Sequence, residues 1–329
     1  MLSKKQIAHT SSNTRLYMAP IRGVTDHIYR NTFAAHFSGF DTAVAPFIAS
    51  PSGNKIRKKY LKGVLPENNV TMPVIPQILS KSADGFILLA NRLFDLGYET
   101  VNWNLGCPYP QVANKQRGSG LLPHTDLIHS FLDNVIPSIN GQLSIKTRLG
   151  RNTKTNIFVL LPVLDAYPIE EIIIHPRTGV QMYEGTPDLD AFEKCLSLTR
   201  HPVVYNGDIT TVADFNRLSE RFATINRWMI GRGALVDPFL PEMIKTGTHK
   251  PEGKIKKLKA FHDALFEQYS RILSGPTHIL DRMKGLWQYF SQPFSDCKKA
   301  VKKIKKSKTP DQYQSIVDAF FENKPTWRF

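Results

Sequence analysis

The sequence predicts an α/β protein, a (β/α)8 TIM barrel followed by a C-terminal all-α helical bundle. Three observations carry this. Eight short apolar or β-branched runs recur through the first 230 residues. Their starts lie about 30 residues apart, the length of one strand plus one crossover helix. After Pro238 the strand pattern stops and helical periodicity continues to the end of the chain.

The runs lie at residues 16–19, 42–45, 74–78, 101–104, 143–147, 172–175, 203–206 and 228–230. They are continuously apolar, as strands of a parallel sheet covered on both faces are. After the third run Ser82 is placed to cap a helix, Phe86, Leu89, Ala90, Leu93 and Phe94 share one face, and Gly97 stops it. The stretch 50–69, with Lys55-Ile-Arg-Lys-Lys-Tyr60, lacks that periodicity and predicts a polar loop and a short helix at the rim. Beyond Pro238 one apolar stripe runs through Ile255, Leu258, Phe261, Leu265, Tyr269 and Ile272, a second through Met283, Leu286, Trp287 and Phe290, and a third through Tyr313, Ile316, Val317 and Phe320. Between the last two, residues 298–308 turn Val301 and Ile304 inward and seven lysines outward. The expected division is a barrel over residues 1–240 and a basic helical domain over 241–329.

A hydrophobic fraction of 41% and a mean hydropathy of −0.27 are those of a water-soluble globular chain, and no apolar run reaches the roughly 18 residues of a membrane span. The N-terminus is polar through Thr14, without a signal-peptide core, which predicts a cytoplasmic protein. Cys107, Cys195 and Cys297 are widely separated and no histidine stands at zinc-ligand spacing, so neither a disulfide framework nor a metal site is expected. A net charge of +15 points to a polyanionic partner. Residues 241–329 hold 18 Lys and Arg against 9 Asp and Glu, more than half of that excess in about a quarter of the chain.

Barrels of this kind work at the C-terminal ends of their strands, and those ends are polar here. The first run leads into Pro20-Ile-Arg-Gly23, the third carries Gln77, the fourth ends at Asn104, the fifth holds Lys146 and Arg148, and the sixth ends in His175-Pro-Arg-Thr178. The seventh ends in Asn206-Gly-Asp208 and the eighth in Gly231-Arg-Gly233. Gly207, Gly231, Gly233 and Arg232 suit a phosphate held after strands seven and eight. Lys146 and His175 suit an electron-poor heterocycle, and Gln77, donor and acceptor at once, suits a flavin's pyrimidine edge. Phosphate and edge together indicate FMN. Cys107, between Gly106 and Pro108 just past a strand end, is held in a stiff turn and is the candidate reactive thiol.

Met18-Ala-Pro-Ile-Arg-Gly-Val-Thr-Asp26, Asn104-Leu-Gly-Cys-Pro108, Ile145-Lys-Thr-Arg148, His175-Pro-Arg-Thr178, Tyr205-Asn-Gly-Asp208 and Met229-Ile-Gly-Arg-Gly-Ala234 occur in that order, and the chain thereby resembles the tRNA-dihydrouridine synthase family. The resemblance implies an FMN barrel that reduces a uridine in RNA, most often tRNA, at the expense of NADPH, with a helical RNA-binding domain behind it. It implies Cys107 as the acid that protonates uracil carbon 5 while hydride arrives at carbon 6. It assigns Pro20, Ile21, Arg22, Gln77, Lys146, His175, Asn206, Gly207, Asp208, Gly231 and Arg232 to FMN, and Asn104, Arg177 and Tyr183 to the extruded uracil. A base must leave its stack to reach such a pocket.

Lys115 and Arg117, in a glycine-bearing loop expected over the mouth, are placed where an RNA backbone would enter. No Gly-x-Gly-x-x-Gly follows a strand, so NADPH is expected to bind transiently over the flavin. The lysines of 298–308 are expected on RNA phosphates, and no protein partner is indicated. Two other readings stand beside this one. An FMN barrel acting on a small pyrimidine such as dihydroorotate shares the site but gives no reason for a basic tail, and a non-catalytic RNA-binding barrel would lack the flavin.

Overall fold

The computed structural model describes residues 13–51, 53, 55–248 and 252–328. The polar segment through residue 12, on which the signal-peptide reading rests, lies outside the described residues. Ten parallel strands are formed: β1 (Arg15–Met18), β2 (Thr42–Val44), β3 (Ile48–Ala49), β4 (Val74–Ile75), β5 (Gln77–Leu79), β6 (Thr100–Leu105), β7 (Gln142–Gly150), β8 (Ile169–Thr178), β9 (Val203–Tyr205) and β10 (Arg227–Ile230).

These ten make eight staves. β2 and β3 are one stave broken at Pro46, and β4 and β5 one broken at Pro76, since proline has no N–H for the ladder. β2 pairs with β4 and β3 with β5. β5 then pairs with β6, the ladder runs on through β10, and β10 pairs with β1, which pairs with β2. The cycle is closed, and the barrel expected from the run spacing is formed with its second and third staves interrupted.

Strand alternation sorts the side chains into two cores. Tyr17, Ala19, Val44, Ile173, Val204 and Met229 fill the barrel interior. Leu16, Met18, Trp103, Ile145 and Ile174 face outward onto the helices. The Ser82-capped helix (Ala83–Phe94) buries Phe86, Leu89, Ala90 and Leu93, as its periodicity predicts. Among the described residues between the second and third staves, a loop carries the short helix Lys58–Leu61 and two 3-10 turns, Lys62–Val64 and Pro66–Asn68. Among the described residues no helix is long and apolar enough to cross a membrane.

Four C-terminal helices, Lys254–Ile272, Pro276–Phe290, Lys298–Lys306 and Pro310–Glu322, follow the barrel. The expected stripes are buried, with Ile255 and Ile316 half-buried at their margins, and with one correction: Ile272, the last residue of its helix, is exposed because the stripe outruns the surface it packs on. A relay of hydrogen bonds runs through this bundle. Trp287 Nε1 donates to Tyr313 Oη (2.8 Å), which lies 2.6 Å from His262 Nε2, while His262 Nδ1 lies 3.0 Å from Asp263 Oδ1. The bundle is joined to the barrel by Phe261, whose ring meets Tyr29 at 5.6 Å and Phe37 at 5.1 Å edge to face, both on or beside the first barrel helix (His27–His36).

Phe261→Ala is expected to lower the unfolding free energy by about 3–5 kcal/mol, because the cavity would open at a junction of two packed layers. Urea unfolding followed by tryptophan fluorescence measures this, and a loss under about 1 kcal/mol would show that the two layers are not coupled there.

Candidate active site

The C-terminal ends of the staves surround a cavity of about 640 Å³. Sixteen of the residues singled out from sequence line it: Pro20, Ile21, Arg22, Gln77, Asn104, Cys107, Lys146, Arg148, His175, Tyr183, Asn206, Gly207, Asp208, Gly231, Arg232 and Gly233. The expected constellation is thus brought to one place. Its donors are largely preorganised by the strands that carry them.

On β6 and β7 the inward positions Asn102, Asn104, Ser144, Lys146 and Arg148 alternate with outward apolar ones. The buried amides form a chain. Asn104 Nδ2 donates to Gln77 Oε1 (2.7 Å), Gln77 Nε2 to Asn102 Oδ1 (2.7 Å), and Asn102 Nδ2 to Ser144 Oγ (2.8 Å). Asn104 Oδ1 accepts from the backbone N–H groups of Gly106 (3.1 Å) and Cys107 (2.9 Å). Asn104 therefore builds the Cys107 turn and keeps one amide hydrogen for the cavity.

The loop expected over the mouth instead supports the thiol from behind. Ser119 donates from both N and Oγ to the Cys107 carbonyl (3.0 Å each), and a Cβ on Gly118, whose φ is +56°, would lie 2.8 Å from Cys107 Cβ. Only glycine fits there. Lys115 is exposed and stands outside the cavity. Cys107 itself packs with Leu79, Val112 and Phe47, and burial pushes its thiol up despite Arg22, Arg148 and Lys146 nearby.

Arg177 corrects a second expectation. Its side chain does not face the cavity but is fully buried, with its donors engaged by protein. Nη1 and Nη2 donate to the Asp208 carboxylate (3.0 and 2.5 Å), and Nε and Nη2 to the carbonyls of Glu184 and Gly185 (3.2 and 2.6 Å). Nη1 also lies 3.1 Å from His175 Nε2. Because a guanidinium only donates, His175 Nε2 accepts and Nδ1 carries the proton. Burial, then the cations Arg148, Lys146, Arg177 and Arg232, hold the imidazole well below its ordinary range, so it is neutral.

Asp208 is drawn up by burial, but Arg177 and Arg232 outweigh this and hold it low. Lys146 Nζ donates to Asn206 Oδ1 (2.7 Å), and burial first, Arg148 second, bring its ammonium down to about 7. Tyr183 follows Met182, whose φ is +51°, and its ring lies between the guanidiniums of Arg148 (5.3 Å) and Arg232 (5.0 Å). Arg148, only 2% exposed, is a site residue to which strand-end reasoning gave no role; the alternation Ser144, Lys146, Arg148 was the available signal. Gln292, contributed from beyond the barrel, also lines the cavity and left no signal in sequence.

The cavity thus joins Arg22, Lys146, Arg148 and Arg232 to a single carboxylate, Asp208. Such a donor set fits an anionic, phosphate-bearing ligand with a heterocycle that accepts hydrogen bonds.

Comparison with known proteins agrees with this chemistry. The chain is 27% identical over 259 residues to the probable tRNA-dihydrouridine synthase of Rhodobacter capsulatus, covering 78% of this chain and 79% of that one. It is 24% identical over 332 residues to the tRNA-dihydrouridine synthase B of Vibrio cholerae, covering 97% and 99%. Among solved structures, the old yellow enzyme homologue from Zymomonas mobilis superimposes with a TM-score of 0.53 at 12% identity, over 74% of this chain and 91% of that one, a likeness of fold. The family model for dihydrouridine synthase matches residues 17–324, and the chain belongs to the dihydrouridine synthase family.

Proposed function

We propose that this protein reduces a uridine in tRNA to 5,6-dihydrouridine, using FMN in the barrel mouth and NADPH as reductant. One observation carries the reading. In a chain of the dihydrouridine synthase family, a buried, protonated thiol stands in a cavity whose cations outnumber its carboxylates four to one.

The residues fit FMN. Asn206, Gly207, Gly231 and Arg232 would hold its phosphate end, with Asp208 fixing the Arg232 side chain. Gln77, Lys146 and His175 would hold its polar ring edge, and Pro20, Ile21 and Arg22 the opposite wall. When bound and reduced by NADPH, FMN supplies the hydride that uracil carbon 6 receives.

Cys107 supplies the matching proton. Charge developing at carbon 5 is neutralised by the Sγ–H, and the thiolate is reprotonated from solvent before the next turnover. Burial keeps the thiol protonated at neutral pH, which is the form the step needs. Asn104 offers its remaining amide hydrogen to the uracil and Tyr183 the exposed edge of its ring. Arg177 acts through His175, Asp208 and the 183–185 loop rather than on the base.

The remaining assignments concern the RNA. The barrel through residue 240 is the catalytic unit, and 241–329 the RNA-binding unit. The helix Lys298–Lys306 buries Ile304 and presents its lysines outward for phosphates, and Lys115, exposed outside the cavity, is a further candidate phosphate contact. The compartment proposed is the cytoplasm.

Cys107→Ala is expected to retain flavin and its reduction by NADPH while dihydrouridine formation in tRNA falls at least 100-fold. Mass spectrometry of the tRNA measures this, and full product from the variant would remove Cys107 from the role. Free uridine is expected to be a far poorer substrate than tRNA; equal turnover would favour a small-pyrimidine oxidoreductase.

Lys146 generates a pH prediction. Folding lowers its ammonium from 10.5 to about 7, so between those values the unfolded chain holds a proton that the native one has released. The stability of the flavin-free protein therefore rises with pH from about 7 towards 10.5. Lys146→Met should abolish that rise in thermal melts and reduce flavin occupancy after dialysis; an unchanged pH profile would refute the assignment.

Replacing Lys302, Lys303, Lys305 and Lys306 by Ala should weaken tRNA binding and flatten the slope of log affinity against log salt by roughly 2–4. An unchanged slope would exclude the lysine helix from the phosphate contacts.

A further inference from the structure

The helix Pro276–Phe290 keeps a glycine that its own folding does not require. Gly285 stands near the middle of fifteen helical residues, is exposed, and has helical backbone angles. A Cβ built on it meets nothing within 4 Å. Glycine inside a helix is destabilising relative to alanine, and here neither a tight turn, a positive φ nor a neighbouring group asks for it.

Its surroundings give the reason. His278, Asp281, Gly285, Gln288 and Gln292 recur at helical spacing and are all exposed, forming one polar stripe about 20 Å long. The first four line a groove of about 430 Å³ against the barrel loop Arg22-Gly23-Val24. Gln292 lines the active-site cavity, and Arg22 lines both. The groove is thus an extension of the catalytic mouth along the helical region.

The groove is also fixed in width. Arg282 donates to the Gly23 carbonyl, lies 3.5 Å from the Asp26 carboxylate, and covers the Tyr269 ring at 5.3 Å. Helix and barrel loop are clamped together along one side, so a ligand must fit the space left by Gly285.

We propose that this groove takes the sugar edge of the RNA strand next to the extruded uridine, with Gly285 as the point of closest approach. This rests on the reading that the substrate is RNA. The stripe's chemistry selects the sugar edge over the phosphates. An aspartate, a histidine and two glutamines offer acceptors as well as donors, as a ribose 2′-hydroxyl needs. Of the two arginines that also line the groove, Arg282 is engaged by the Gly23 carbonyl and Asp26, and Arg22 is shared with the active-site cavity. Phosphate neutralisation falls to the lysine helix elsewhere on the bundle. The two surfaces therefore differ in their response to salt.

The test compares full-length Gly285→Ala and Gly285→Gln with the unsubstituted protein, all loaded with flavin, using an unmodified tRNA transcript as probe. Gly285→Ala should raise the melting temperature by about 1–2 °C while weakening tRNA binding five-fold or more, and Gly285→Gln should weaken it further. The salt slope should be unchanged in both, unlike the effect of removing lysines. Unaltered affinity in both variants, or a loss that scales with salt, would overturn the proposal. Because binding is read directly, a chain that binds tRNA through this groove without reducing it would contradict the proposed activity and leave the groove standing.

Discussion

A guanidinium that water does not reach holds the catalytic end of this barrel in one arrangement. Arg177 on β8 grips Asp208 after β9, the carbonyls of Glu184 and Gly185, and His175 two residues before it on its own strand. A buried charge with a missing partner is costly, so each of these groups holds the others in place. Through Asp208 the grip extends to Arg232 after β10, and through the 183–185 loop to the Tyr183 ring. Three successive staves are thereby fixed relative to one another before any ligand arrives. Such preorganisation is what a site needs if its dipoles are to act without rearranging.

The opposite half of the mouth is fixed by amides. Asn104, Gln77, Asn102 and Ser144 form a chain across three staves, and its outer member holds the Cys107 turn by two backbone N–H groups. The thiol's position is thus set by β6 and by Gly118 behind it, not by packing alone. Burial raises its pKa, while a backbone hydrogen bond at Tyr109 and the cations around it limit the rise. The same burial brings Lys146 down to about 7 and keeps His175 neutral.

Much of this was legible in the chain. Continuous apolar runs at regular spacing specified the barrel, and the polar residues ending them specified the cavity, because strand direction places all eight ends on one face. Pro46 and Pro76, visible in sequence, split two staves in a way that run spacing does not register. What sequence did not disclose depends on which way a side chain turns. Arg177 and Tyr183 lie close in the chain, yet one is fully buried and the other lines the mouth. Arg148, at the end of a recognised run, was named but given no role beside Lys146, although alternation by two turns both inward. Gln292 reaches the cavity only because the helical region folds back over it, and no local pattern encodes that return.

The closure of the barrel has a consequence for how the chain is made. β1 finds its second partner in β10, more than two hundred residues later, and the helix after β1 is covered by Lys254–Ile272, later still. Contacts of such long range close late, after the loop entropy between them has been met. On the ribosome the first strand therefore waits with one edge open until about seventy per cent of the chain has emerged. The seam between first and last stave is the place where a truncated or stalled chain stays incomplete, and where a chaperone or a protease would find it.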